Sequence, residues 1–161
     1  MLVGLISDTH GLVRPEVFAA LDGVELILHA GDVGGRAVID ELSAIAPVRA
    51  VYGNTDMPGE PGLQAHLALV IDGLSIHVSH GHEVGSPTPA KLLERYDADV
   101  IVYGHTHRQL VVQAQNRWVI NPGAAGPRRF DLQPSVAKLT IANGRISIDL
   151  VPLAAAQVAD S

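Results

Sequence analysis

Short apolar runs, each closed by a glycine or serine, recur along the chain: LVGLIS at 2–7, ELILHAG at 25–31, VRAVYG at 48–53, LSIHVS at 74–79 and DVIVYG at 99–104. They are too short for helices and rich in β-branched residues, so they predict strands. Between the first three lie segments of helical spacing. RPEVFAALDG at 14–23 has Pro15 suited to a first helical turn, and GRAVIDELSAIA at 35–46 puts Val38, Leu42 and Ile45 on one face. TPAKLLERYDAD at 88–99 predicts another helix, opened by Thr88 and Pro89. Strands alternating with helices predict crossover units and a largely parallel sheet. Beyond residue 108 the texture changes to QLVVQAQNRWVIN, SVAKLTIA and RISIDLVPL, with Asn143–Gly144 as a hairpin turn between the last two. A parallel α/β front is thus expected to lead into an antiparallel β back. The loop MPGEPG at 57–62 reads as a surface connection. No internal repeat or linker divides the chain, so one domain is expected over 1–153, with 154–161 as a frayed, disordered tail.

The polar residues change the picture, because they fall just past the strands. Asp8 and His10 follow the first run, Asp32 the second, Asn54 the third, His80 the fourth, and His105 with His107 the fifth. Ligands of open α/β sheets bind at the carboxyl ends of strands, so five strands deliver seven candidate groups to one edge. Taken singly, an Asp after a strand is usually a helix cap or turn residue, and a lone His is usually solvated or hydrogen-bonded. Seven together at five strand ends argue for a shared site. Gly31, Gly53 and Gly104 precede several of them and are expected to allow the turns that aim the next side chain. His29, His66 and His77 lie inside strand runs and read as structural or exposed. His82, in SHGHE, follows His80 closely enough to line the same cavity or to cap the loop.

Composition bounds the chemistry. With 161 residues, 47% hydrophobic, the chain is globular and about one domain long. The formal net charge of -6, without a basic run, argues against a stable nucleic-acid partner. The absence of cysteine leaves His, Asp, Glu, Asn and backbone oxygens to hold any metal. Imidazole with carboxylate suits Mn, Fe, Zn or Ni better than Ca or Mg. Neither a basic leader nor a run of about 18 apolar residues is present, so a cytoplasmic protein without a membrane partner is the expectation.

The motifs DTHG at 8–11, GD at 31–32, GNTD at 53–56, SHGH at 79–82 and GHTH at 104–107 resemble, in order and approximate spacing, those of the calcineurin-like metallophosphoesterases. Together with NPGAAGPRR at 121–129, they make the chain look like the compact phosphodiesterase branch, which also contains the retromer small subunit. The resemblance implies a four-layer αββα sandwich of two mixed sheets flanked by helices, with a binuclear metal centre at the sheet edge. It implies that Asp8, His10 and His107 hold one ion, that Asn54, His80 and His105 hold the other, and that Asp32 bridges them. The cofactors implied are two divalent ions per chain, manganese first, with nickel, iron or zinc as alternatives. A hydroxide bridging both ions would attack a phosphoester in line, and the two ions outweigh the two aspartates, which leaves an acidic protein with a positive site.

Thr55 departs from the family pattern, since many larger members carry a histidine directly after the motif asparagine. Without that general acid, the reading tilts toward diesters or good leaving groups, with Asn54 and His82 as catalytic candidates and His82 as a substitute acid. Asp56 is expected either to orient a ligand histidine or to tie down its loop. At most one of Arg128 and Arg129 is expected to face the site, because neighbours on an extended segment point apart. By the same rule His105 and His107 are expected on the same side of an extended segment. The expected partner is a small phosphoester substrate, with a homo-oligomer as a further possibility. The competing reading is a non-catalytic metal-binding interaction scaffold of the same fold, from which the complete set of seven competent side chains argues away.

Overall fold

The structure, a computed structural model, describes residues 1–128 and 132–153; Arg129 and the expected tail at 154–161 lie outside the described residues. In chain order the elements are β1 (Leu2–Ile6), α1 (Glu16–Ala20), β2 (Leu26–His29), α2 (Arg36–Leu42), β3 (Val48–Val51), β4 (Leu63–Gln64), β5 (His66–Ile71) and β6 (Leu74–Ser79). A short 3-10 turn at His82–Val84 leads to α3 (Pro89–Arg95), β7 (Val100–Val102), β8 (Leu110–Ala114), β9 (Arg117–Asn121), β10 (Ser135–Ala142) and β11 (Arg145–Pro152). α3 begins as its sequence predicts, with Pro89 in the first turn and the Thr88 hydroxyl oxygen accepting from the Lys91 N–H at 3.2 Å.

Two mixed sheets result. One runs β11-β10-β1-β2-β3-β4 and the other β5-β6-β7-β9-β8. The period-2 alternation of strand side chains sorts residues between layers. Val3 and Leu5 of β1, Leu28 of β2 and Val100 and Val102 of β7 meet in the core between the sheets. The alternate residues Ile6 and Ile27 face α1 and α2, where Val17, Leu21, Val38 and Leu42 cover them. Ile101 and Tyr103 pack with Leu92 of α3 on the outer face of the second sheet. This is the αββα sandwich.

The antiparallel back is corrected in one respect. β8 and β9 join the second sheet while β10 and β11 join the first, and β9 pairs with β7 in parallel, Val100 opposite Trp118. β8 and β9 do form an antiparallel hairpin, but β7 offers β9 a parallel edge on its other side. As a result Asn121, at the end of β9, comes to the same edge as the ends of β6 and β7. Among the described residues no helix is long and apolar enough to cross a membrane.

Of the histidines read as structural, His66 is exposed, and His77 is buried on β6 with its ring stacked 3.7 Å from that of Tyr96. Burial, with the nearby charge of His66, pushes the His77 pKa down to about 4. The unfolded chain protonates this ring near its ordinary value, so the stability it contributes is intact above about pH 6.5 and is lost as pH falls from there toward 4. Metal-free protein is therefore expected to lose about 2 kcal/mol through His77 between pH 7 and 5. Urea denaturation of His77→Phe, which keeps the stack, should show that loss removed; an unchanged pH slope would show that the ring accepts its proton without unfolding.

Candidate metal centre

Asp8, at the end of β1, is fully buried. One carboxylate oxygen, Oδ2, accepts from the Ser7 hydroxyl at 2.7 Å and from the His105 backbone N–H at 3.1 Å. The other, Oδ1, is buried without a hydrogen bond. It faces His107 Nε2 at 3.4 Å, His80 Nε2 at 3.7 Å and His10 Nε2 at 3.9 Å. Asp32, after β2, repeats the pattern. Its Oδ1 accepts from the Thr55 N–H at 3.0 Å, and its Oδ2 faces His80 Nε2 at 3.2 Å and His10 Nε2 at 3.7 Å. Each carboxylate thus has one oxygen held by the protein and one turned to the imidazoles of His10 and His80, with His107 facing Asp8 alone.

His80 is oriented from behind. Its Nδ1 lies 2.8 Å from the Ala30 carbonyl, which can only accept, so Nδ1 carries the proton. Nε2 is left buried and without a hydrogen bond, aimed at the two aspartates. A carbonyl behind one ring nitrogen, leaving the other to face the carboxylates, is how metal-ligating imidazoles are held.

Among the described residues, two groups of ligand atoms, each lying within 4.8 Å of one another, could hold an ion: Asp8, His10 and His107, and Asp8, Asp32 and His80. Asp8 Oδ1 and His80 Nε2, buried without hydrogen bonds, the all nitrogen and oxygen donor set and the Asp8 carboxylate common to both groups fit divalent cations of the Mn, Fe, Zn or Ni type. His105 stands beside the second group, with ring centres 5.1 Å from His80. Asn54 is exposed on the loop after β3. His82 is partly buried in the 3-10 turn, its ring 5.4 Å from that of His80 and 6.3 Å from that of His105, with Nδ1 buried and not hydrogen-bonded.

The electrostatics show how strongly the cluster calls for positive charge. Burial alone would raise the Asp8 pKa, yet His107, His80 and the Ser7 hydroxyl bring it below the usual value. Asp32 is likewise opposed by burial and lowered by His80 and Thr55. Burial would lower His80, but Asp32 and Asp8 beside it raise it. His105 is pushed down by burial and by the charge of His80.

Backbone conformation at this edge departs from the sequence reading. Asp8, His10, Asp32, His105 and His107 all have left-handed φ values, between 46 and 73°. GHTH is therefore not extended, and the same-side rule does not apply to His105 and His107: their ring directions follow from left-handed turns. Such conformations are costly for non-glycine residues and cluster at functional sites. The preceding glycines also work differently from expectation. Gly31 has φ 106°, but Gly53 and Gly104 do not need positive φ; a Cβ at Gly53 would overlap Asp32 Oδ1, and one at Gly104 would overlap Ser7 Oγ. Their role is close approach to the two carboxylates.

Two positioning residues have roles that the sequence left open or missed. Asp56 ties down loops: its carboxylate accepts from the N–H groups of Val33 at 2.9 Å, Gly34 at 3.0 Å and Gly53 at 2.9 Å. Asn121 donates from Nδ2 to the Gly104 carbonyl at 3.2 Å and the Thr106 hydroxyl at 3.0 Å, holding GHTH in place. The signal that could have found it was its position at a strand end like the other seven. Arg128 is exposed and lines a shallow depression with His107, Ala124 and Pro127.

Comparison with known proteins bears on this geometry. The family model described as the calcineurin-like phosphoesterase superfamily domain matches residues 1–144. The chain is 35% identical over 162 residues to a Methanothermobacter thermautotrophicus protein named "Probable metallophosphoesterase", covering 94% of this chain and 92% of that one. It is 30% identical over 141 residues to a protein of Methanocaldococcus jannaschii named "Phosphodiesterase", covering 76% and 83%. Among solved structures, Vps29 of Entamoeba histolytica has the same fold, with TM-score 0.78, 24% identity and coverage of 94% and 99%.

The lacing by Asp56 is open to a direct check. Asp56→Ala strands three backbone N–H groups and is expected to cost about 2–4 kcal/mol in urea denaturation of metal-free protein. A loss under about 1 kcal/mol would show that water replaces the carboxylate. With the αββα sandwich, the strand-end cluster and the match over residues 1–144 in agreement, the chain belongs to the calcineurin-like phosphoesterase superfamily and is a metal-dependent phosphoesterase.

Proposed function

We propose that this phosphoesterase acts on small phosphodiesters in preference to monoesters, with two divalent ions at the strand ends. Asp8, His10 and His107 would hold one ion, Asn54, His80 and His105 the other, and Asp32 would be shared. The observation that carries the reading is the convergence of Asp8 Oδ1 on the Nε2 atoms of His10, His80 and His107 and of Asp32 Oδ2 on those of His10 and His80, all at 3.2–3.9 Å. When bound, the ions supply Lewis-acid charge for the phosphoryl oxygens and make hydroxide available near neutral pH for in-line attack. Manganese is the first choice, with nickel, iron or zinc next.

The chain's own residues supply position. Ser7, the His105 N–H and the Thr55 N–H each hold the outer oxygen of an aspartate, so the inner oxygens keep their direction. Asn54, exposed at the rim, is a neutral group suited to a phosphate oxygen as well as to an ion. Thr55 contributes its backbone to Asp32, and a threonine hydroxyl is no general acid. That supports diesters or esters with good leaving groups, and likeness to a relative named a phosphodiesterase supports the diester reading. His82, at the edge of the histidine cluster, is assigned to the leaving oxygen. No protein nucleophile is required. Seven competent side chains favour catalysis over a scaffold role, and the net charge of -6 supports a small substrate over a stable nucleic-acid partner.

Metal-stripped protein resupplied with Mn²⁺, Ni²⁺, Zn²⁺ or Mg²⁺ is expected to turn over bis-p-nitrophenyl phosphate at least about tenfold faster than p-nitrophenyl phosphate, with Mn²⁺ best. No turnover of either ester with any ion would contradict the enzyme reading. Efficient monoester cleavage indifferent to leaving-group pKa would remove the role given to Thr55. His107→Ala should lose one of the two ions, read by elemental analysis after dialysis, and at least about 100-fold in rate; full metal content would take His107 off the ligand set.

A further inference from the structure

His29 is fully buried at the end of β2, three residues before Asp32, and the reaction does not call on it. Both of its ring nitrogens are engaged. Nδ1 accepts from the Gly31 N–H at 3.1 Å, and Nε2 lies 2.9 Å from the Thr9 hydroxyl. The Thr9 hydroxyl hydrogen is already given to the Val33 carbonyl at 2.7 Å. Thr9 must then accept from His29, so Nε2 carries the proton and Nδ1 does not. Each group in this chain has a single permitted direction, and the whole requires a neutral ring, since a proton on Nδ1 would oppose the Gly31 N–H.

The two ends of the imidazole reach two different turns. Thr9 lies between Asp8 and His10, and Gly31 directly precedes Asp32. Past the strand ends these turns run side by side, with the Asp8 N–H on the Gly31 carbonyl at 2.9 Å, His10 on Asp32 at 3.0 Å and Gly11 on Val33 at 2.9 Å. Asp8, His10 and Asp32 are all left-handed there, so the strained backbone must be held by its surroundings. Burial pushes the His29 pKa down to about 4, which keeps the ring in the form this network needs.

We propose that His29 is a positioning residue: a neutral imidazole strut that fixes the Asp8–His10 turn against the Asp32 turn, so that both inner carboxylate oxygens stay aimed at one cluster. The inference rests on the metal-dependent reading above. It separates His29 from His77, which is also buried but stacks on Tyr96 away from the strand-end turns.

The test uses the full chain and Mn²⁺ titrated calorimetrically, with the thermal midpoint of metal-free protein measured alongside. Thr9→Val removes the hydroxyl at one end of the strut, Thr9→Ser keeps it, and His29→Leu removes both contacts. Thr9→Val and His29→Leu are expected to weaken Mn²⁺ binding about 10–100-fold, while Thr9→Ser stays within about threefold of wild type. Should His29→Leu not fold, the Thr9 pair carries the test, because Val and Ser differ in the hydroxyl that the strut requires. Thr9→Val binding Mn²⁺ as wild type does, or Thr9→Ser binding as weakly as Thr9→Val, would overturn the strut while leaving the metal reading intact. A wild-type chain that binds no Mn²⁺ would overturn the metal reading itself, and the strut with it.

Discussion

Asp8 and Asp32 are buried at neighbouring strand ends, and both turn an oxygen toward the Nε2 atoms of His10 and His80. Two buried like charges sharing one environment are costly unless positive charge lies between them. In the protein without an ion, the imidazole between them answers that need in part: both aspartates flank His80 and raise its pKa against its burial, and His80 in turn draws theirs down. The same arrangement that favours the proton favours a divalent cation more, since an ion engages several of these groups at once. Metal binding needs the Nε2 atom of each ligand histidine without its proton and so weakens as pH falls.

Holding this arrangement explains much of the surrounding structure. The outer oxygens of both aspartates are tied to Ser7, His105 and Thr55, and the glycines at 53 and 104 let those partners come close enough. Asp56 and Asn121 lace the loops after β2, β3 and β7, and Ala30 holds His80 from below. Five of the candidate ligands adopt left-handed backbone, which a free loop would not retain. The αββα layers supply the rigid base. With apolar residues facing both the intersheet core and the helices, the strand ends are fixed before any loop begins.

The strands of the parallel front, the three helices and the polar residues past each strand end could be read from the sequence, because all are local patterns of period and punctuation. The helix start at Thr88 and Pro89 was readable for the same reason. The pairing of β9 with β7 was not, since nothing within RWVIN distinguishes a parallel neighbour from an antiparallel one. Left-handed turns at His105 and His107 were also hidden: such backbone is uncommon for any residue but glycine even where histidine is enriched, and it is held here by tertiary contacts such as the His105 N–H bond to Asp8. The seven candidate residues were legible as a set, whereas the direction of each carboxylate oxygen depends on Ser7 and Thr55, whose sequence context carries no sign of that duty.

The central proposal is that two divalent ions would share this edge, with Asp32 between them. Anomalous diffraction from crystals soaked in Mn²⁺ tests it most directly. The account predicts two peaks about 3.5–4 Å apart, one beside Asp8, His10 and His107 and the other beside His80 and His105, with Asp32 reaching both. A single peak, or none at the strand ends, would contradict it.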